Sequence, residues 1–111
     1  TGKASREFLY VKDAAKGIVD AMEKYDSSEP VNLGNGKEVK IKNLVDLICN
    51  TMGHTGKIKY DSTKPDGQPS RRLDISRAIS SFDFSAQTVL ADGLRETVDW
   101  YLATEEAVLE C

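Results

Sequence analysis

Arg71 and Arg72 close the segment Lys64-Pro65-Asp66-Gly67-Gln68-Pro69-Ser70-Arg71-Arg72-Leu73-Asp74, and their setting suits them to hold an anion. Pro65 and Pro69 fix their own φ and bias the residue before each toward extended conformations, while Gly67 permits a turn between them. The pattern predicts a stiffened loop that ends by presenting the arginines. A guanidinium on a rigid support loses less entropy when it grips a phosphate, and its fork matches two oxygens at once. Read from this segment alone, the choice lies between an anion site and a solvated basic turn.

Other reactive side chains do not assemble into a catalytic set. His54 is the single histidine, in Met52-Gly53-His54-Thr55-Gly56, a glycine-bracketed helix exit where a turn role is expected. It leaves no serine or cysteine with a plausible base. Cys49 falls within an apolar helical pattern as a small core residue, Cys111 is the last residue, and the two give no metal-ligand spacing. Gly34-Asn35-Gly36 is followed by Lys37-Glu38-Val39. It lacks the third glycine and the helix start of a dinucleotide loop, and reads as a turn. In a Tyr-Lys dyad the ammonium lowers the phenol pKa from one helical turn away. Tyr10 and Lys12 stand two apart on an expected strand, and Tyr60 and Lys64 cross a junction just before Pro65. Neither pair is that dyad.

The elements that must position Arg71 alternate between strands and helices. Glu7-Phe8-Leu9-Tyr10-Val11 predicts a strand, after which Asp13 caps a helix carrying Ala14, Ala15, Ile18, Val19 and Met22 at helical spacing. Val31-Asn32-Leu33 reads as a buried strand stopped by Gly34-Asn35-Gly36, and Val39 and Ile41 alternate about Lys40. A second helix carries Leu44, Val45, Ile48 and Met52, with Gly53 as a left-handed C-cap. Lys57-Ile58-Lys59-Tyr60-Asp61 predicts a strand entering the proline loop. A short helix is expected from Asp74 to Ser80, then Phe82 and Phe84 packing at a turn. The last helix starts near Thr88 or Val89 and buries Leu90, Leu94, Val98 and Tyr101 or Leu102, with Trp100 near one edge. The class is α/β, with few strands.

Size and charge exclude several functions. The 111 residues suit one small domain. Fifteen basic against 18 acidic residues give a net charge of −3, without the basic surplus of a general nucleic-acid binder. No apolar run approaches the roughly 20 residues that cross a bilayer, and no secretory h-region opens the chain, so no membrane association and a cytoplasmic location are expected.

Four segments carry a resemblance. Arg6-Glu7-Phe8-Leu9-Tyr10-Val11-Lys12-Asp13 resembles the Arg-Glu-Phe-(Leu/Ile)-(His/Tyr)-Val-Asp-Asp signature of the extended short-chain dehydrogenases/reductases, the NAD-dependent epimerase/dehydratase family. Asn32-Leu33-Gly34-Asn35-Gly36 is similar to that family's Asn-(Val/Ile/Leu)-Gly-(Thr/Ser)-Gly. Lys64-Pro65-Asp66-Gly67-Gln68-Pro69, with Leu73-Asp74 and Ser76-Arg77, resembles a segment of the GDP-L-fucose synthases within it, and Gly93 to Tyr101 its closing helix. The four occur in order and at similar spacing.

The resemblance implies a small mixed α/β substrate-binding domain over residues 1–111, lacking the Rossmann domain, as the C-terminal piece of a longer protein. The parent would be an NAD(P)-dependent sugar-nucleotide epimerase/reductase that turns GDP-4-keto-6-deoxy-mannose into GDP-L-fucose. NADP or NAD would sit in the absent N-terminal domain, the parent would be a homodimer, and the fragment alone would not catalyse. A lobe of a UDP-sugar 4-epimerase or a dehydratase, and a free-standing interaction module, stay open. By this resemblance Arg6 reaches the diphosphate of the nucleotide-sugar substrate, Arg71 its phosphate or nucleotide, and Asp13 is a structural helix cap. Lys12 replaces the signature's first aspartate, and Ser70 stands where the fucose synthases often carry a basic residue. The face toward the missing domain, around Phe8, Tyr10 and the helix after Asp13, is expected to be apolar, exposed and prone to self-association.

Overall fold

The computed structural model describes residues 1–109 and is a mixed α/β arrangement in the order β1 (Ser5–Glu7), α1 (Val11–Lys24), β2 (Glu38–Lys40), α2 (Ile41–Met52), β3 (Ser70–Arg71), α3 (Ser76–Phe82) and α4 (Leu90–Leu109). The three strands form one sheet in the order β2-β1-β3, with β1 antiparallel to β2 and parallel to β3. The α/β class is as expected, but several elements differ from the sequence reading. Cys111 lies outside the described residues.

The first strand ends at Glu7, because the chain leaves the sheet to start α1 at Val11. Tyr10 is the extended N-cap residue, and its carbonyl accepts the Ala14 amide at 3.0 Å. Asp13 is therefore not the cap. It lies inside the first turn, buried, and its carboxylate accepts from the Thr88 amide at 3.1 Å and the Thr88 hydroxyl at 3.2 Å, tying α1 to the approach of α4. Val31 and Leu33 form no strand, since no strand pairs with them among the described residues; both pack on the aromatic core instead. Residues 57–61 are likewise neither strand nor helix, and they are exposed. Alternating side chains do not make a strand without a neighbour to bond. The second helix ends as expected at Gly53, whose φ of 69° is the left-handed conformation a glycine adopts without steric cost.

The core is small. Ala78, Phe82 and Phe84 are buried together, with Leu9, Ala21, Tyr25, Val31 and Leu33 packed around them. Tyr25 meets Phe82 edge to face at 5.8 Å. Gly17 lets α1 approach this cluster, for a Cβ there would lie 2.8 Å from the Phe84 ring. So α1 turns its small residues, Gly17 and Ala21, inward. Its large ones stand outside: Val11, Ile18 and Met22 are 70%, 63% and 77% exposed. That confirms the expected apolar face on this helix. On α4, Val98 is buried, but Tyr101 and Leu102 are exposed, contrary to expectation, and Trp100 is 66% exposed.

The accessible surface is 8349 Å² for 12.2 kDa. A self-contained monomer of that mass exposes about 6,100 Å². The radius of gyration, 17.1 Å, likewise exceeds the roughly 13 Å of a compact chain of this length. The fold leaves apolar surface that it cannot cover by itself. No helix among the described residues is long and apolar enough to cross a membrane.

Candidate functional site

The sheet brings Arg6 and Arg71 side by side. β1 and β3 pair in parallel with Arg6 opposite Arg71 and Ser5 opposite Ser70, and Val39 of β2 flanks Arg6 on its other side. Register partners point to the same face of a sheet, so the two guanidinium stems rise together. Arg71 thus sits on a strand rather than in the loop itself. Its support is the pairing that begins where the Ser5 amide donates to Pro69 O at 2.9 Å.

Arg6 also clasps the proline loop. Its Nη1 donates to Ser5 O at 2.6 Å and Gln68 O at 2.7 Å. Gly67, with φ 76°, lies below its fork, where an added Cβ would come 3.4 Å from Nη2. Arg6 makes no ion pair with Glu7. The Glu7 carboxylate instead accepts the Gly36 amide at 2.5 Å and the Leu73 amide at 3.4 Å, joining the glycine turn, β1 and the chain after β3. Among the described residues the salt bridges are Thr1–Asp66, Lys12–Glu96 and Lys16–Asp20, and none uses Arg6, Arg71 or Arg72. Adjacent like charges on paired strands repel. A cleft of about 240 Å³ opens beside them, lined by Arg6, Glu7, Arg71, Arg72 and Leu73.

On β2, Glu38 accepts hydrogen bonds from Ser5 Oγ at 3.0 Å and from Ser70 Oγ. The Ser70 hydroxyl first, then the Ser5 hydroxyl, hold its carboxyl below the usual range, and the Arg71 amide and the Arg72 charge act in the same direction. Sequence reasoning assigned no role to Glu7 or Glu38. No local signal marks either one, because their partners lie 29 to 66 residues away in the chain.

A second polar cluster joins α1 to α4. The Tyr10 hydroxyl donates to Glu96 Oε2, and Lys12 Nζ reaches the same oxygen at 3.0 Å. Lys12, where the family signature has aspartate, thus finds its counter-ion on α4. The hydrogen bond to Glu96 pushes the Tyr10 phenol up from its ordinary value, and Tyr10 and Lys12 together hold Glu96 down. A phenol prepared for proton transfer would be shifted the other way. This cluster is a tie between helices.

The remaining candidates do not converge. His54 is exposed at the end of α2, and its amide donates to Cys49 O at 2.8 Å. Cys49 is a free, half-buried thiol. No group of three or more His, Cys, Asp or Glu side chains among the described residues could hold a metal ion. Gly34-Asn35-Gly36 runs into β2 rather than a helix, and the Gly36 amide is engaged by Glu7. A Cβ on Gly34 would lie 2.7 Å from Glu7 Oε1, and the Asn35 side-chain amide donates to Phe8 O at 3.1 Å. With its Gly36 amide taken by Glu7 and a strand rather than a helix after it, this turn lacks the helix N-terminus on which a dinucleotide's pyrophosphate rests.

Comparison with known proteins gives this geometry a context. The sequence model of the NAD dependent epimerase/dehydratase family matches residues 1–34. GDP-L-fucose synthase 1 of Arabidopsis thaliana is 42% identical over 102 residues, covering 92% of this chain and 31% of that protein. Among solved structures, UDP-glucose 4-epimerase of Thermotoga maritima, captured with UDP-glucose, superposes with a TM-score of 0.84 at 25% identity, over 93% of this chain and 33% of that one. A GDP-6-OMe-4-keto-L-xylo-heptose reductase from C. jejuni gives 0.84 at 27% identity, over 94% and 32%. The chain spans about a third of the length of the relatives it matches.

Proposed function

Because the chain belongs to the NAD-dependent epimerase/dehydratase family, we propose that it is the nucleotide-sugar-binding lobe of a sugar-nucleotide epimerase/reductase of the GDP-L-fucose synthase kind. One observation carries the reading. Arg6 and Arg71 lie in register on adjacent strands with no carboxylate paired to either among the described residues. A nucleoside diphosphate supplies the missing charge, about two negative charges at neutral pH on oxygens that match two guanidinium forks. Gripping it would hold the sugar against reacting groups elsewhere and use remote binding energy for orientation.

The reacting groups, and the residues that hold NADP or NAD, would lie outside this chain, whose own glycine turn opens a strand rather than a helix. The lobe carrying them would cover Val11, Ile18 and Met22 of α1, which the present fold leaves in solvent. Full burial of an aliphatic side chain of this size is worth about 1.5–3 kcal/mol, a reason for two lobes to stay together.

A UDP-sugar lobe is the second reading. Two observations favour it: Ser70 in place of a basic residue, and a structural relative captured with UDP-glucose. Calorimetric titration of the full-length gene product with GDP and with UDP separates the two. Tighter GDP binding is expected, and a preference for UDP would move the assignment to the second reading. Loss of both on Arg71→Ala would support the clamp, and unchanged binding would refute it.

A further inference from the structure

We propose that Glu38 is a positioning residue that holds Arg6 and Arg71 in register for their anion, an inference that rests on the diphosphate reading of that pair. β3 is two residues long, and so short a parallel pairing has few backbone hydrogen bonds to fix it. Glu38 supplies a cross-link from the far side of the sheet. It stands on β2, at one edge, yet its Oε1 accepts from Ser5 on the central strand at 3.0 Å and from Ser70 on the opposite edge strand.

The consequence for the arginines follows from strand geometry. Ser5 and Ser70 are register partners, and each directly precedes an arginine. Successive strand residues point to opposite faces, so the serines lie on one face while Arg6 and Arg71 lie on the other. One carboxylate oxygen spans all three strands and fixes the residue beneath each guanidinium. Both hydroxyls favour the ionised carboxylate, which makes these charge-assisted bonds.

Both hydroxyls bond the same oxygen, and that separates positioning through hydrogen bonds from the effect of a negative charge. Gln at 38 keeps a carbonyl oxygen in place, and Ala removes it. The test is calorimetric binding of GDP and UDP to the full-length gene product carrying Glu38→Ala, Glu38→Gln, Ser70→Ala, or Ser5→Ala with Ser70→Ala. Misplacing one prong of a two-pronged clamp is expected to weaken binding by about tenfold in Glu38→Ala, against no more than about twofold in Glu38→Gln. The double serine variant should match Glu38→Ala, and combining the two should add nothing further, the signature of one shared interaction. In turnover, KM for the sugar nucleotide should rise while kcat holds.

Equal losses in Glu38→Gln and Glu38→Ala would overturn the proposal, as would normal binding in Glu38→Ala when Arg71→Ala has lost it. If Glu38→Ala does not fold, Glu38→Gln and Ser70→Ala decide: retained affinity in the first with about threefold loss in the second supports the bridge, and any other pattern overturns it. Binding unaffected by Arg6→Ala with Arg71→Ala would overturn the clamp itself, and the Glu38 inference with it.

Discussion

The chain treats Lys12 and the arginine pair Arg6 and Arg71 in opposite ways. At the junction of α1 and α4, Lys12 lies against Glu96, which also takes the Tyr10 hydroxyl, so the cation is matched within the fold. At the sheet, Arg6 and Arg71 stand in register, and the nearby carboxylates are turned to other work: Glu7 to the Gly36 and Leu73 amides, Glu38 to Ser5 and Ser70. The first place spends its charge on holding two helices. The second holds like charges together with no carboxylate paired to either among the described residues, and it is there that the proposed diphosphate clamp is placed.

The comparison breaks most sharply by removing charge at both places. Arg6→Ala with Arg71→Ala is expected to weaken binding of a nucleoside diphosphate by about a hundredfold or more in the full-length gene product, the loss of two charge-assisted grips. Lys12→Ala with Glu96→Ala should leave it within about twofold, since that pair is already neutral and exposed. Equal losses from the two double variants would erase the distinction. Arg6→Lys refines it, because lysine keeps the charge but cannot donate to Ser5 O, Gln68 O and a ligand through one planar fork.

A second contrast lies between the covered and bare sides of α1. Gly17 and Ala21 face the aromatic cluster while Val11, Ile18 and Met22 face solvent. The isolated chain should therefore self-associate with rising concentration in gel filtration, and Ile18→Asp with Met22→Asp should return it to a monomer. A chain that is monomeric at all concentrations would show that the stripe is not adhesive. Under the two-lobe proposal, the full-length gene product carrying the same pair should be destabilised, because the covering lobe would then meet two buried carboxylates.

Both contrasts are partly legible in the amino-acid sequence. Helical spacing locates α1, α2 and α4, the glycine C-cap at Gly53 is explicit, and Arg6 and Arg71 emerge from motifs far apart in the chain. Partnership is what local pattern does not carry. Whether Val31-Asn32-Leu33 or Lys57–Asp61 becomes a strand depends on a neighbour that lies elsewhere in the chain, and neither finds one among the described residues. Asp13 has the residue type of an N-cap, but it lies inside the first turn, and tertiary structure gives it Thr88 instead. Glu38 is hidden for the same reason: its meaning lies in Ser5 and Ser70, 33 and 32 residues away.

The smallest expected effect comes from titrating the α1–α4 tie. Glu96 is held below its ordinary value by Tyr10 and Lys12, so its contribution is complete above the usual carboxylate range and is lost as pH falls through the lowered value. Tyr10 and Lys12 are both raised, chiefly by hydrogen bonding to Glu96, so their contributions are complete below their ordinary values, near 10, and vanish as pH rises through the raised ones. Stability should carry a shallow shoulder at each end and stay flat between. The phenol reports on the tie directly. The phenolate absorbance of Tyr10, isolated by subtracting the Tyr10→Phe variant, should titrate above the ordinary tyrosine value. Glu96→Gln should bring it down by removing the carboxylate, and Lys12→Ala should push it further up by removing the one charge that favours phenolate. An ordinary Tyr10 titration, unmoved by either substitution, would mean that the tie does not hold in solution. The contrast between matched and unmatched cations would then rest on the sheet alone.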